Sequence, residues 1–200
     1  MKTLQIQQMG TFDEVLSILK DGGVVMHPTE TCYGFAVDIF NKKALDKVCE
    51  IKGREENKPF SILVDSFEMA EKYGEFSELA RKIARKYWPG PLSIVVPRKA
   101  SLPEFLNENE KFISIRLSSH EFSSEMVSKF GGPVITTSAN VSGTPPLYSV
   151  DLSQFGKKSD KIDLIIDGGD LEVNKPSTIV KVDGDKLTIL REGDIKILSL

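Results

Sequence analysis

The sequence predicts one α/β domain over residues 1–200, a twisted mixed sheet flanked by helices, with a concave ligand pocket where strands end. Three observations carry that expectation. Short apolar runs of strand type alternate with amphipathic helical stretches along most of the chain. The last two runs are joined by Asp183-Gly184-Asp185, a hairpin signal, so the sheet mixes parallel and antiparallel pairs. Polar clusters recur where the runs stop, and strand ends are where open α/β sheets bind ligands.

In chain order, Thr11-Phe12-Asp13-Glu14 has the spacing of a capping box, and Phe12, Val15, Leu16 and Leu19 repeat at helical intervals until Gly22-Gly23. Val24-Val25-Met26 reads as a buried strand. His27-Pro28-Thr29-Glu30-Thr31-Cys32-Tyr33-Gly34 follows as a loop not built like a turn, and Phe35-Ala36-Val37 as the next strand. Asn41 caps a helix bearing Ala44, Leu45, Val48 and Ile51 on one face, which delivers Lys52-Gly53-Arg54 at its C-terminal end, where cations suit the helix dipole.

Phe60 to Val64 reads as a strand, Asp65-Ser66-Phe67-Glu68 as a further capping box, and Ser77 to Tyr87 as helix with Leu79, Ile83 and Tyr87 aligned. Trp88-Pro89-Gly90-Pro91 breaks it, with Trp88 read as a core anchor, and strands follow at Leu92 to Val96 and Phe112 to Arg116. Ser118 with Glu121 opens a helix through Val127, Gly131-Gly132 closes it, and Pro133 to Thr136 is the next strand. A hydroxyl-rich stretch, Thr137-Ser138-Ala139-Asn140-Val141-Ser142-Gly143, leaves that strand. Ile162 to Ile166, Ser177 to Val182 and Leu187 to Leu190 complete the sheet.

Composition excludes several classes. With 40% hydrophobic and 28% charged residues, the chain has enough apolar material for one good core. The formal charge of -3 argues against a nonspecific nucleic-acid binder, although weak RNA binding through a local basic groove stays open. Cys32 and Cys49 form no C-x-x-C pair and there are only two histidines, which points away from disulfides and zinc and towards a reducing, cytoplasmic setting. Met1-Lys2-Thr3-Leu4-Gln5 lacks an apolar signal core, and no run approaches the ~20 apolar residues of a membrane span.

The residues at element ends suit a polyanion: Thr29 and its neighbours, Lys52 with Arg54, Arg116 with His120, and Ser138 with Asn140. A nucleotide triphosphate fits, yet neither G-x-x-x-x-G-K-[ST] nor G-x-G-x-x-G occurs, so the cradle is not one of the standard ones. Each group also has an ordinary reading: solvated helix-end cations, an exposed strand-end arginine, an Asn-capped turn, and a His27 packed at a strand edge. Ser177 lacks the G-x-S-x-G elbow, and no Ser-His-Asp or Cys-His order emerges, which disfavours covalent catalysis.

Taken jointly, these stretches resemble the YrdC-like family of threonylcarbamoyl-AMP synthases. The matching motifs are His27 to Gly34, Lys52-Gly53-Arg54 with Lys58-Pro59, Trp88 to Leu92, Ile115-Arg116 with His120, Ser138-Ala139-Asn140 with Ser142-Gly143, Pro176 to Ile179, and Leu190-Arg191-Glu192-Gly193. The resemblance implies a nucleotidyltransferase that makes L-threonylcarbamoyl-AMP and pyrophosphate from L-threonine, bicarbonate or CO2, and ATP with Mg2+. Its product would feed modification of the adenosine next to the tRNA anticodon by a separate transferase complex.

By the same resemblance, Thr29, His120, Thr136 and Ser177 line the threonine side, and Lys52, Arg54, Arg116, Ser138, Asn140 and Arg191 hold the nucleotide. Lys52, Arg54 and Arg116 position and neutralise, with no nucleophile and no protein metal ligand assigned. Two positions depart from the family pattern: Arg-x-Pro-x-His becomes Arg116-Leu117-Ser118-Ser119-His120, and a proline following Lys-x-Arg is replaced by Glu55. At this length the minimal single-domain form is expected. The alternatives are an RNA-binding, translation-associated module, or a YrdC-like domain handling another carbamoyl adenylate.

Overall fold

The computed structural model describes residues 1–8, 10–54 and 58–197; Glu55 lies outside the described residues. The elements are β1 (Lys2–Gln5), α1 (Thr11–Lys20), β2 (Val25–Pro28), β3 (Tyr33–Ala36), α2 (Lys42–Lys52), β4 (Ser61–Val64), α3 (Phe67–Tyr73), α4 (Glu78–Tyr87), β5 (Leu92–Pro97), β6 (Phe112–Leu117), α5 (Glu121–Phe130), β7 (Val134–Ser138), a 3-10 stretch (Ser153–Lys161), β8 (Leu164–Asp167), β9 (Thr178–Asp183) and β10 (Lys186–Arg191). Among the described residues the strands form one ten-stranded sheet in the order β1-β8-β2-β3-β7-β4-β6-β5-β9-β10. It is mixed, as expected: β1 and β2 run parallel to β8, β4 to β6 and β5 to β9, while the other neighbours are antiparallel.

Helices α1 and α5 pack on each other, with Phe12 stacked on Phe122 at 4.9 Å between ring centroids, and both also lie on β2. Helix α3 lies on β4 and β6, α4 on β5, and α2 against the 3-10 stretch. Trp88 is the core anchor the sequence suggests: its ring sits 5.9 Å from that of Phe76, and its indole nitrogen donates to Leu92 O at 2.8 Å. Asn41, Ser66 and Ser77 cap α2, α3 and α4, each accepting from the backbone amide three residues on.

Several local expectations are corrected. Thr11 does not cap α1; Gly10, in the left-handed region, occupies that position, and the Thr11 hydroxyl turns back to donate to Gln8 O at 2.6 Å and Gln5 O at 3.2 Å. Ser118 does not bond the first turn of α5, because its hydroxyl donates to the Glu30 carboxylate and accepts from the His120 amide. Helix α5 also runs past Val127 to Phe130, where Gly131 at φ 76° closes it. The octapeptide from His27 is a hairpin, since Pro28 pairs with Tyr33 and His27 with Gly34. Its tip is held by the Thr29 hydroxyl, which accepts from the Thr31 and Cys32 amides and donates to Cys32 O at 2.6 Å.

His27 is not at an edge. It is fully buried in β2, between β8 and β3, with Nδ1 3.2 Å from Ser123 Oγ. Burial first, and then the nearby His120, push its pKa from the ordinary 6.5 down to about 4. The folded state therefore refuses a proton that the unfolded chain accepts, so stability is full above pH 6.5 and declines as pH falls towards 4. The decline attributable to this group is about 3 kcal/mol. Urea unfolding of wild type and His27→Gln between pH 7 and 4.5 checks it: the variant's stability should fall less steeply, and parallel curves would count against the assignment.

Candidate functional site

Cross-strand register builds the floor of a cavity of about 470 Å³. Arg116 of β6 lies opposite Ser93 of β5, Ser93 opposite Ile179 of β9, and Ile179 opposite Arg191 of β10, and all four line the cavity. Residues directly opposite in a sheet project from the same face, so this row is a consequence of register. Ser61 of β4 and Thr136 of β7 are a second such pair. The small Ser61 and Ser93 leave the space that larger strand residues would fill.

Arg191 reaches the row only through an irregularity in β10. Ile189 pairs with Val180, yet Arg191 and not Leu190 opposes Ile179, so one extra residue turns the arginine to the cavity side. Its Nε donates to Ser177 O at 2.9 Å. Gly193 then crosses the start of β9, and a Cβ at that position would lie 2.0 Å from Pro176 O. The tail is thereby pressed against Pro176 and Ser177, both of which line the cavity.

The hairpin tip supplies Thr31 and Cys32, and the region after α2 supplies Arg54. Arg54 donates to Pro59 O at 2.7 Å and stacks its guanidinium 4.3 Å over the Phe60 ring, which holds it extended. Arg116 is buried, with Nη1 donating to Ser177 Oγ at 3.0 Å and Nη2 2.7 Å from Glu30 Oε1. The Nη2–Glu30 contact is an ion pair whose direction is off that of a hydrogen bond, and Arg116 Nε has no partner. Burial by itself would raise the Glu30 carboxyl; the Arg116 charge and the Ser118 hydroxyl outweigh it and hold the group below its ordinary value.

Of the residues the sequence assigns to a threonine side, Thr136 and Ser177 line the cavity. Of those assigned to a nucleotide, Arg54, Arg116, Ser138 and Arg191 do. Thr29, Lys52, Asn140 and His120 are not among the residues that line it. Thr29 is spent on the hairpin tip. The buried Lys52 ammonium donates to Ser138 O at 2.5 Å, Asn140 O at 3.0 Å and Asn140 Oδ1 at 2.8 Å, fixing the end of β7. Asn140 also accepts from Ser138 Oγ and donates to Thr144 O, so its amide knits the loop. Burial, and then Arg54, bring Lys52 down to about 8. His120 opens α5 with Nδ1 buried and unpartnered.

Tyr148 and Asn174 were not singled out from the sequence, yet both line the cavity, and the Tyr148 hydroxyl donates to Asn174 O at 3.4 Å. They lie in coil with no motif, and only contacts distant in sequence bring them in. Among the described residues, every charged side chain lining the cavity is an arginine, interleaved with hydroxyls. That set is suited to an extended anion; among the described residues it offers no carboxylate to a metal, and no His, Cys, Asp and Glu cluster is placed to hold one. No helix among them is long and apolar enough to cross a membrane.

Comparison with known proteins decides the family. The Sua5/YciO/YrdC family model, described as "Telomere recombination", matches residues 17–193. The chain belongs to the Sua5/YciO/YrdC family. It is 38% identical over 192 residues to a "Putative threonylcarbamoyl-AMP synthase" of Methanocaldococcus jannaschii, covering 94% of this chain and 89% of that protein. It is 30% identical over 183 residues to a "Threonylcarbamoyl-AMP synthase" of Pyrococcus abyssi, of which it covers only 53%. The crystal structure of P. abyssi Sua5 complexed with L-threonine superposes with a TM-score of 0.86 at 28% identity, over 96% of this chain and 57% of that one. The chain thus spans little more than half of these Sua5 proteins.

Proposed function

We propose that this chain carries L-threonylcarbamoyladenylate synthase activity, consuming L-threonine, CO2 or bicarbonate, and ATP, and releasing threonylcarbamoyl-AMP and pyrophosphate. The observation that carries the reading is a cavity whose charged lining, among the described residues, is Arg54, Arg116 and Arg191, in a chain 38% identical to a relative named for that reaction. The threonine amine takes up CO2 as a carbamate. A carbamate oxygen then forms a bond to the α-phosphorus as the bond to pyrophosphate breaks.

Negative charge accumulates on the phosphate oxygens, and three preplaced arginines offset it without a protein nucleophile. Thr136 and Ser177 offer hydroxyls to the amino acid, while Arg54, Ser138 and Arg191 face the nucleotide, with Lys52 and Asn140 holding Ser138 in place. Mg2+ enters on the ATP phosphates as part of the substrate. The product would pass to a transferase complex that modifies tRNA.

The test is pyrophosphate release by the purified chain with each substrate omitted in turn, and mass detection of the adenylate. Release should need threonine, bicarbonate and ATP together. Equal release without threonine would refute the reading. Valine, which lacks the hydroxyl the site would bond, should be used at least about tenfold less well.

A further inference from the structure

Glu30 is the acidic side chain in contact with the arginine row, and it stands behind the cavity wall instead of lining it. Its two oxygens are separately held: Oε1 lies 2.7 Å from Arg116 Nη2, and Oε2 accepts from Ser118 Oγ at 2.5 Å. Side-chain exposure is 14% for Glu30 and 7% for Arg116, so solvent screens the pair weakly. Ser118 stands where the family pattern has proline, a residue without a hydroxyl. In this chain that hydroxyl also accepts from the His120 amide, which ties the carboxylate to the start of α5.

We infer that Glu30 is a positioning residue that sets the charge of the cavity: it aims the Arg116 guanidinium at Ser177 and cancels part of its charge, so that a polyphosphate binds loosely enough to leave. The inference rests on the cavity being the polyanion site of the proposed function. The charge balance follows from the geometry. Three arginines facing one cavity would hold a pyrophosphate tightly, and a fixed anion 2.7 Å behind one of them lowers the potential the ligand meets. An enzyme that must release pyrophosphate gains turnover from that reduction and loses it if binding is too strong.

The test is calorimetric titration of inorganic pyrophosphate into wild type, Glu30→Gln, Glu30→Asp and Glu121→Gln, without threonine or ATP, with thermal unfolding of each as a check on folding. Glu30→Gln keeps the shape and an oxygen for Ser118 but removes the charge, and should bind pyrophosphate about three- to tenfold more tightly. Glu30→Asp keeps the charge one methylene further from Arg116 and should tighten binding by less; it also gives a reading if the amide variant does not fold. Glu121→Gln, an exposed charge removed from the start of α5, should leave affinity unchanged. In turnover, Glu30→Gln should lower the KM for ATP and kcat together, a pairing that loosened packing does not produce. Unchanged or weaker pyrophosphate binding by Glu30→Gln, or equal tightening in Glu121→Gln, would overturn the inference. Failure of wild type to bind pyrophosphate would overturn it together with the anion cavity, whereas pyrophosphate binding without adenylate synthesis would sink the proposed reaction alone.

Discussion

Gly193→Ala should lower pyrophosphate affinity by about a hundredfold and stability by about 2–3 kcal/mol, although the added group is one methyl. The new Cβ would lie 2.0 Å from Pro176 O and 2.6 Å from both Ser177 C and Thr178 N, and all three are backbone atoms that cannot rotate aside. The tail must therefore lift from β9. Lifting it breaks a local set of bonds: Gly193 N to Thr178 Oγ1 at 3.1 Å, Thr178 Oγ1 to Ile195 O at 2.6 Å, and Asp194 N to Pro176 O at 3.2 Å. It also frees Arg191 from Ser177 O, and with it one of the cavity's three cations. Pyrophosphate titration and urea unfolding of the variant check both halves. Wild-type affinity in Gly193→Ala would show that the crossing does not hold Arg191.

Nothing in the sequence around Gly193 signals this contact, and the reason is general to what was legible here. Asn41, Ser77, Gly131 and the Asp183-Gly184-Asp185 turn act on backbone within a few residues, so their chemistry can be read from spacing alone. β1 pairs with β8 across most of the chain and buries only Leu4, which leaves no alternation to detect. The octapeptide was legible in part for a related reason. Its polar residues suggested a ligand loop, and Thr31 and Cys32 of its tip line the cavity, but that the Thr29 hydroxyl is bonded within the tip depends on the hairpin pairing.

The site was legible as a set of motifs but not as a division of labour. Lys52 lies at the end of α2, as its spacing indicates, but that its three donors are consumed by Ser138 and Asn140 depends on where β7 ends. Arg191 could be named from its motif, yet its aim depends on the extra residue in β10, and no local pattern marks it. Ser118 is the converse case. The departure from the family pattern was visible in the sequence, and the structure shows what replaced the proline: a hydroxyl that anchors Glu30.

Arg116→Met separates what this arginine does for the fold from what it does for the ligand. Methionine fills similar space without charge, so Glu30 is left buried with only the Ser118 hydroxyl, and removing one partner of a buried pair costs about 3–5 kcal/mol at pH 7. The cost should depend on pH with a definite sign. Burial raises the Glu30 pKa and the Arg116 charge is the largest influence lowering it, so without Arg116 the folded-state value rises above that of the unfolded chain. A group raised in the folded state contributes stability that is present at low pH and lost as pH rises, so the variant should be nearer to wild type at pH 5 than at pH 7. Adding Glu30→Gln to Arg116→Met removes the stranded charge and should recover most of the stability while pyrophosphate binding stays at least about tenfold weaker than wild type. Urea unfolding at both pH values and pyrophosphate titration measure the cycle. If the double variant regained binding along with stability, Arg116 would be a structural residue and the anion would be held by Arg54 and Arg191 alone.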